Sequence, residues 1–223
     1  MDPDPTRAGG GCLQGHADDP DLARRLAFLI AVDALKHVER RTRLFDGSRR
    51  ENSAEHSWHL ALFALTLAPH APPGADAARA AAMLLLHDVV EVRAGDTFAY
   101  DAGAVAGQHE REALAAGELF GMLPAPQAAE FRALWDEFEA GATPTACYAN
   151  AIDRLQPMMQ NDANAGGTWR EHGVTRAAVF DRARPVAAGL PAAWDALCRT
   201  IDAHCASGAI LADATGAAGG SAP

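Results

Sequence analysis

Four separated residues carry the candidate chemistry of this chain: His56, the adjacent pair His87-Asp88, and Asp153. Two imidazoles and two carboxylates can hold a divalent ion firmly and still leave positions open to water. Mixed nitrogen and oxygen ligation suits Mn, Co, Fe, Ni or Zn better than Ca, with Mg a weaker fit. Such an ion lowers the pKa of bound water and polarises an oxygen of the substrate. His87-Asp88 closes the apolar run Ala81-Ala82-Met83-Leu84-Leu85-Leu86, whose helix should be buried. Two ionisable groups at a buried helix end need compensation, and a metal supplies it. The set predicts a metal-dependent hydrolase.

Consecutive residues on a helix point about 100° apart. His87 and Asp88 therefore reach one ion only if it sits beside their turn, with His56 and Asp153 delivered by neighbouring helices. Composition agrees with a helical scaffold, because Ala, Leu, Glu and Arg are plentiful while the β-branched Val and Ile are scarce. Leu22, Leu26, Leu29 and Ile30 form an apolar stripe on a first helix. Ser53 is a candidate cap for a second helix reaching about Ala68, and Asp76 for a third that ends near Gly95. Phe131, Leu134, Trp135 and Phe138 give the clearest amphipathic stripe. Tyr148, Ile152, Leu155 and Met159 place Asp153 on another helix, which Pro157 should interrupt. Two weaker helices are expected around residues 175–187 and 191–205, and no strand is evident. The expected fold is all-α, a single-domain helical bundle over residues 20–206. Residues 1–19 and the Ala/Gly-rich 207–223 read as disordered tails.

The 223 residues, 49% hydrophobic and 22% charged, suffice for one sizeable core. A net charge of −10 disfavours extended nucleic acid, whose affinity comes largely from Lys and Arg on phosphates. It permits a single phosphorylated metabolite, since one metal and one arginine can reverse the local potential. Cys12, Cys147, Cys198 and Cys205 show neither CxxC nor zinc-ribbon spacing, so reduced thiols are expected. With no secretory pattern and no apolar span, a soluble cytoplasmic protein is expected.

The order His, His-Asp, Asp on helices resembles the HD-domain metal-dependent phosphohydrolase superfamily. Asn52-Ser53-Ala54-Glu55-His56-Ser57-Trp58, His87-Asp88-Val89-Val90-Glu91 and Gly95-Asp96-Thr97 are similar to its 5′-deoxynucleotidase-like branch, which includes the HD domain-containing protein 2 group. The resemblance extends over roughly residues 21–205. It implies a helical fold, one divalent cation, frequent homodimerisation, and removal of phosphate from deoxynucleoside 5′-monophosphates.

Glu91 lies three residues after Asp88, on the same side of a helix, where it can exchange a proton with water or a leaving oxygen. The resemblance assigns Glu91 and Asp96 to catalysis and Arg41 to the substrate phosphate, with Arg40 and Arg43 as alternatives on the same basic run. One departure stands out: the branch carries tryptophan directly after that arginine, and this chain has Thr42. The change bears on nucleotide specificity more than on the chemistry. The resulting expectation is a 5′-nucleotidase acting on a nucleoside monophosphate. A regulatory nucleotide- or metal-binding module and, further off, a di-iron oxygenase are the alternatives.

Overall fold

The structure, a computed structural model, describes residues 17–96, 98, 100, 103 and 107–213. The outer parts of both expected tails (1–16 and 214–223) and Thr97 lie outside these residues. The fold is all-α, as composition predicts, with one small two-stranded ribbon. In chain order come α1 (Pro20–Val32), β1 (Glu39–Arg43), β2 (Arg50–Asn52), α2 (Ser53–Thr66) and α3 (Ala77–Leu86). A 3-10 turn over His87–Val90 leads into the short α4 (Glu91–Ala94). Then follow α5 (Gln108–Phe120), α6 (Ala125–Ala140), α7 (Pro144–Ala163), α8 (Gly167–Glu171), α9 (Arg176–Gly189) and α10 (Pro191–Ala206). Among the described residues no helix is long and apolar enough to cross a membrane.

Helix boundaries follow local chemistry. Asp76 caps α3 by accepting from the amides of Ala78 and Arg79 at 2.9 and 3.0 Å, as expected. The cap of α2 is Asn52 rather than Ser53. Its side chain accepts from Glu55 N at 2.9 Å, while Glu55 Oε2 accepts from Asn52 N at 3.2 Å. This reciprocal box frees the Ser53 hydroxyl for another partner. The third helix does not run unbroken to Gly95, because its end tightens into the 3-10 turn. On such a turn side chains three apart eclipse, which aligns Asp88 with Glu91. Gly95, at φ 76°, then ends α4 in a conformation only glycine adopts freely.

Apolar burial falls into two clusters. One gathers Leu60, Leu84, Tyr148, Ile152, Trp169, Val179 and Ile201 from α2, α3 and α7 to α10. The other gathers Phe28, Val89, Val90, Leu119, Phe120 and Trp135. The chain crosses from the first to the second between Leu84 and Val89. His87-Asp88 therefore sits at the seam, held from both sides by packed side chains. The stripe on α6 is buried at Leu134, Trp135 and Phe138, and that on α7 at Tyr148, Ile152 and Leu155. Helix α7 continues through Pro157 to Ala163, so the expected interruption is absent.

Several expectations are corrected. The charged segment Glu39-Arg40-Arg41-Thr42-Arg43 is a strand, paired antiparallel with β2 in the register Glu39 to Asn52 and Arg43 to Arg50, with a bulge between. It lacks the apolar alternation that announces a strand, because the residues that turn inward, Arg40 and Thr42, are polar. Leu22, Leu29 and Ile30 of α1 face outward, and Phe28 is the buried anchor. The guanidinium of Arg24, bonded to the carbonyls of Gly121, Met122 and Leu123 at 2.6–3.1 Å, helps fix that rotation. The packed chain also extends past 206: Ala209 and Ile210 are buried, and Leu211 exchanges 2.9 Å backbone bonds with Val174 and Arg176. One isoleucine anchors a segment that its Ala/Gly content disguises.

Helix α9 lies closely against α7. A β-carbon at Gly189 would stand 2.0 Å from the carbonyl oxygen of Cys147 and 2.7 Å from the Ala151 methyl. Gly189→Ala should therefore push α9 off α7 and lower stability by about 2–3 kcal/mol. Thermal unfolding checks this, and a midpoint equal to the parent's would show that the contact is not needed.

Candidate metal centre

His56 occupies the first turn of α2 and is fully buried. Its Nδ1 faces Gln156 Oε1 at 3.1 Å and Glu51 Oε2 at 3.3 Å. The Gln156 carbonyl oxygen, backed by the Glu51 carboxylate, favours a proton on Nδ1, and Nε2 lies 3.1 Å from Asp153 Oδ1. Glu51 is itself held by the amides of Gln156 and Gln160, each at 2.9 Å. A carboxylate that orients a ligating histidine through its far nitrogen is a recurrent feature of metal sites.

His87 is arranged in the same way. Its Nδ1 lies 2.9 Å from the carbonyl of Leu84, the last turn of its own helix. Its Nε2 stands 3.0 Å from Asp88 Oδ1 and 3.7 Å from Asp153 Oδ1 and makes a hydrogen bond with neither. A buried nitrogen without a partner, among carboxylates, is what a bound cation would satisfy. Ligand atoms of His56, His87 and Asp88 all lie within 4.8 Å of one another. The donor set thus fits a divalent ion, with Asp153 Oδ1 close to both imidazoles.

Electrostatics match that geometry. Burial works against charge on His87, but Asp88 and Asp153 outweigh it and hold the imidazole well above its usual pKa. Burial also opposes charge on Asp88, yet His87 and Arg40 bring it down to about 2. Asp153 is lowered too, by Arg154 and the two imidazoles acting against burial. The carboxylates are therefore ionised and ready to coordinate.

Glu91 and Asp96 join the same cavity. Glu91 is buried and accepts the freed Ser53 hydroxyl at 2.5 Å. Burial and the adjacent Asp88 charge raise its pKa well above the usual range, against the pull of Arg40. Burial likewise raises Asp96. The basic run divides between two faces of β1. Arg40 turns inward, 3.0 Å from Asp88 Oδ2, and 3.9 Å from both Asp96 and Glu51. Arg41 contributes to the cavity wall but is exposed. Successive strand residues point oppositely, so only one of the pair can enter the centre.

The cavity has a volume of about 360 Å³. Its wall includes residues the motifs did not single out: Tyr100, Glu112, Glu139, Arg154 and Arg182. His109 also lines it and stands 3.4 Å from Glu139. Arg154 could have been suspected from its place beside Asp153, whereas Glu51 and Arg182 carry no motif. Trp169 is wholly buried and donates to the Tyr100 hydroxyl at 3.3 Å, an anchoring role. His59 packs among Phe45, Trp58 and Phe63, away from ligation.

Two imidazoles and a carboxylate gathered at one buried point, with Asp153 beside them and an open polar cavity adjoining, suit a helical metal-dependent hydrolase. Residues 32–194 match the HD domain family, and the chain belongs to it. The crystal structure of a predicted metal-dependent phosphohydrolase from Magnetospirillum magnetotacticum MS-1 is 46% identical, with a TM-score of 0.82 over 86% of this chain and 96% of that one. The 5′-deoxynucleotidase HDDC2 of Danio rerio is 27% identical over 136 residues, 60% of this chain and 66% of that protein. The human protein of the same name is 26% identical over 136 residues, covering 60% and 65%. The match thus spans just under two thirds of these curated relatives.

Glu51→Gln removes the charged acceptor behind His56 and should weaken binding of Mn or Co by about 10–100-fold. Calorimetric titration of the metal-free protein checks this, and unchanged affinity would show that Glu51 does not orient the imidazole.

Proposed function

We propose that this chain is a metal-dependent phosphomonoesterase, releasing phosphate from nucleoside or deoxynucleoside 5′-monophosphates. The observation that carries the reading is the buried His/Asp cluster opening onto a cavity whose wall bears both high-pKa carboxyls and arginines. His56, His87, Asp88 and Asp153 would hold the ion. When bound, it supplies Lewis acidity toward a phosphoryl oxygen and a lowered pKa for water.

The protein's own groups do the rest. Glu91 exchanges the proton: burial and Asp88 move its pKa upward toward the working range of an acid–base catalyst. The Ser53 hydroxyl, donating at 2.5 Å, fixes the carboxyl's orientation. Asp96, close to Arg40 and raised by burial, stands by to receive a hydroxyl of the leaving group. Arg40 holds Asp88 in place and offsets the concentration of carboxylates. The volume of about 360 Å³ suits a mononucleotide rather than a polymer, in keeping with the net charge of −10. The names borne by the HDDC2 relatives support the deoxynucleotide choice within this class.

Phosphate release from a panel of ribo- and deoxyribonucleoside 5′-monophosphates, with Mn, Co, Mg or Zn, tests the proposal. Glu91→Gln should lower kcat by about 10²–10⁴-fold while metal binding persists. Asp88→Ala should lose metal affinity and turnover together. No release from any monophosphate by the metal-loaded protein would overturn the assignment.

A further inference from the structure

The cavity holds a cation whose partner the protein does not provide. Arg182, on α9, reaches the same cavity as the metal cluster. Among the described residues it forms neither a hydrogen bond nor an ion pair. The other arginines in the interior of this wall are matched. Arg40 has Asp88 at 3.0 Å, and Arg154 donates to Asp153 Oδ2 at 2.6 Å. A partly buried guanidinium that meets no acceptor, with a second arginine nearby and only the more distant charge of Asp153 in its favour, is poised for an anionic ligand. Burial and Arg154 lower the Arg182 pKa to about 10 against the pull of Asp153, which leaves it cationic at neutral pH. In the free protein Arg182 therefore offers a guanidinium to the cavity with no hydrogen-bond acceptor on it.

Tyr100 supplies the complementary donor. Its hydroxyl oxygen accepts the Trp169 indole N–H at 3.3 Å, which leaves the phenolic hydrogen free to point into the cavity. Burial raises the Tyr100 pKa, so the group stays a donor. Tyr100, Arg154 and Arg182 thus present hydrogen-bond donors beside Asp153, whereas Glu91 and Asp96 line the cavity from α4 and the segment after it. A wall so divided recognises a ligand that is anionic and acceptor-rich at one end and hydroxylated at the other.

We propose that Arg182, with Arg154 and the Tyr100 hydroxyl, seats the non-bridging oxygens of the substrate's phosphoryl group, a role the sequence resemblance gives to Arg41. Arg41 is exposed at the rim, and Arg40 is already engaged by carboxylates. A guanidinium fork matches two oxygens of a tetrahedral anion, and Arg182 has all its donors free for this. The seat favours a terminal, doubly charged phosphoryl group over a singly charged diester. Phosphomonoesters are the substrate class it selects. The inference rests on the phosphohydrolase reading of the adjoining centre.

Inorganic phosphate is the probe, titrated calorimetrically into the full-length, Mn-loaded protein. Arg182→Gln should weaken phosphate by about tenfold or more, the worth of a charged hydrogen-bond pair. Arg182→Lys should recover part of the loss, because charge returns without the fork. Arg41→Gln should weaken it by less than about threefold, as expected for an exposed charge. Metal affinity should be unchanged in all three. The thermal midpoint of phosphate-free Arg182→Gln should equal or exceed the parent's, since no hydrogen bond or ion pair of the protein is lost, but phosphate should no longer raise it. A merely structural arginine would instead lower the midpoint. Phosphate binding by Arg182→Gln at the parent's affinity would overturn the inference, as would a parent that binds no phosphate up to about 10 mM. The hydrolase reading fails separately, on absence of phosphate release from every monoester by a protein that binds phosphate normally.

Discussion

The structure is organised around one electrostatic problem: two imidazoles and three carboxylates are withdrawn from water within a few ångströms of one another. His56 is fully buried, and His87, Asp88, Glu91 and Asp153 are nearly so. No helix bundle keeps such groups together by packing alone, because each isolated charge would rather be hydrated. The cluster persists because every member has been given a counter-group. Arg40 and Arg154 neutralise Asp88 and Asp153, Ser53 donates to Glu91, and Glu51 and the Leu84 carbonyl face the far nitrogens of the histidines. A cation would complete this balance at His87 Nε2, a buried nitrogen left without a hydrogen-bond partner.

Rigid placement of those counter-groups explains much of the remaining fold. Helix α7 carries Asp153, Arg154, Gln156 and Gln160 over two turns, so one long helix supplies a candidate ligand, its guanidinium partner and both clamps on Glu51. The close seating of α9 on α7 at Gly189 brings Arg182 into the same cavity. The seam between two apolar clusters fixes His87-Asp88, and the 3-10 turn there sets the angle to Glu91. Function-bearing side chains thus project from segments whose backbone is held by packing on both sides.

What could be read from the chain divides along physical lines. Residue types with narrow chemical uses, such as His56, His87-Asp88 and Asp153, stand out because their spacing is unusual and their surroundings apolar. The helices of α6 and α7 are legible because large apolar residues recur at helical spacing. Signals fail where structure is stabilised by charge or by very small side chains. The strand of Glu39-Arg40-Arg41-Thr42-Arg43 has no apolar alternation, and the inward face of α5 runs through Glu112, Ala115 and Ala116 before it reaches Leu119 and Phe120. The wrong face was expected inside for α1, because a single Phe28 outweighs three aliphatic neighbours. Glu51 and Arg182 carry no local signature. Their significance lies in what they meet across more than a hundred residues in the one case, and in what they fail to meet in the other.

The ribbon of β1 and β2 has a consequence for the dynamics of the molecule. Two short strands alone are marginally stable in water. Here Asn164 holds the turn through Leu44 O at 2.9 Å, and Arg40 and Glu51 reach from the strands toward the buried cluster. The ribbon's attachment and the charge state of the cluster therefore belong to one equilibrium. Whatever loads the cluster tightens the strands, and whatever empties it lets their amides exchange with solvent sooner. Hydrogen exchange of a small surface ribbon becomes a gauge of occupancy at a site buried beneath it.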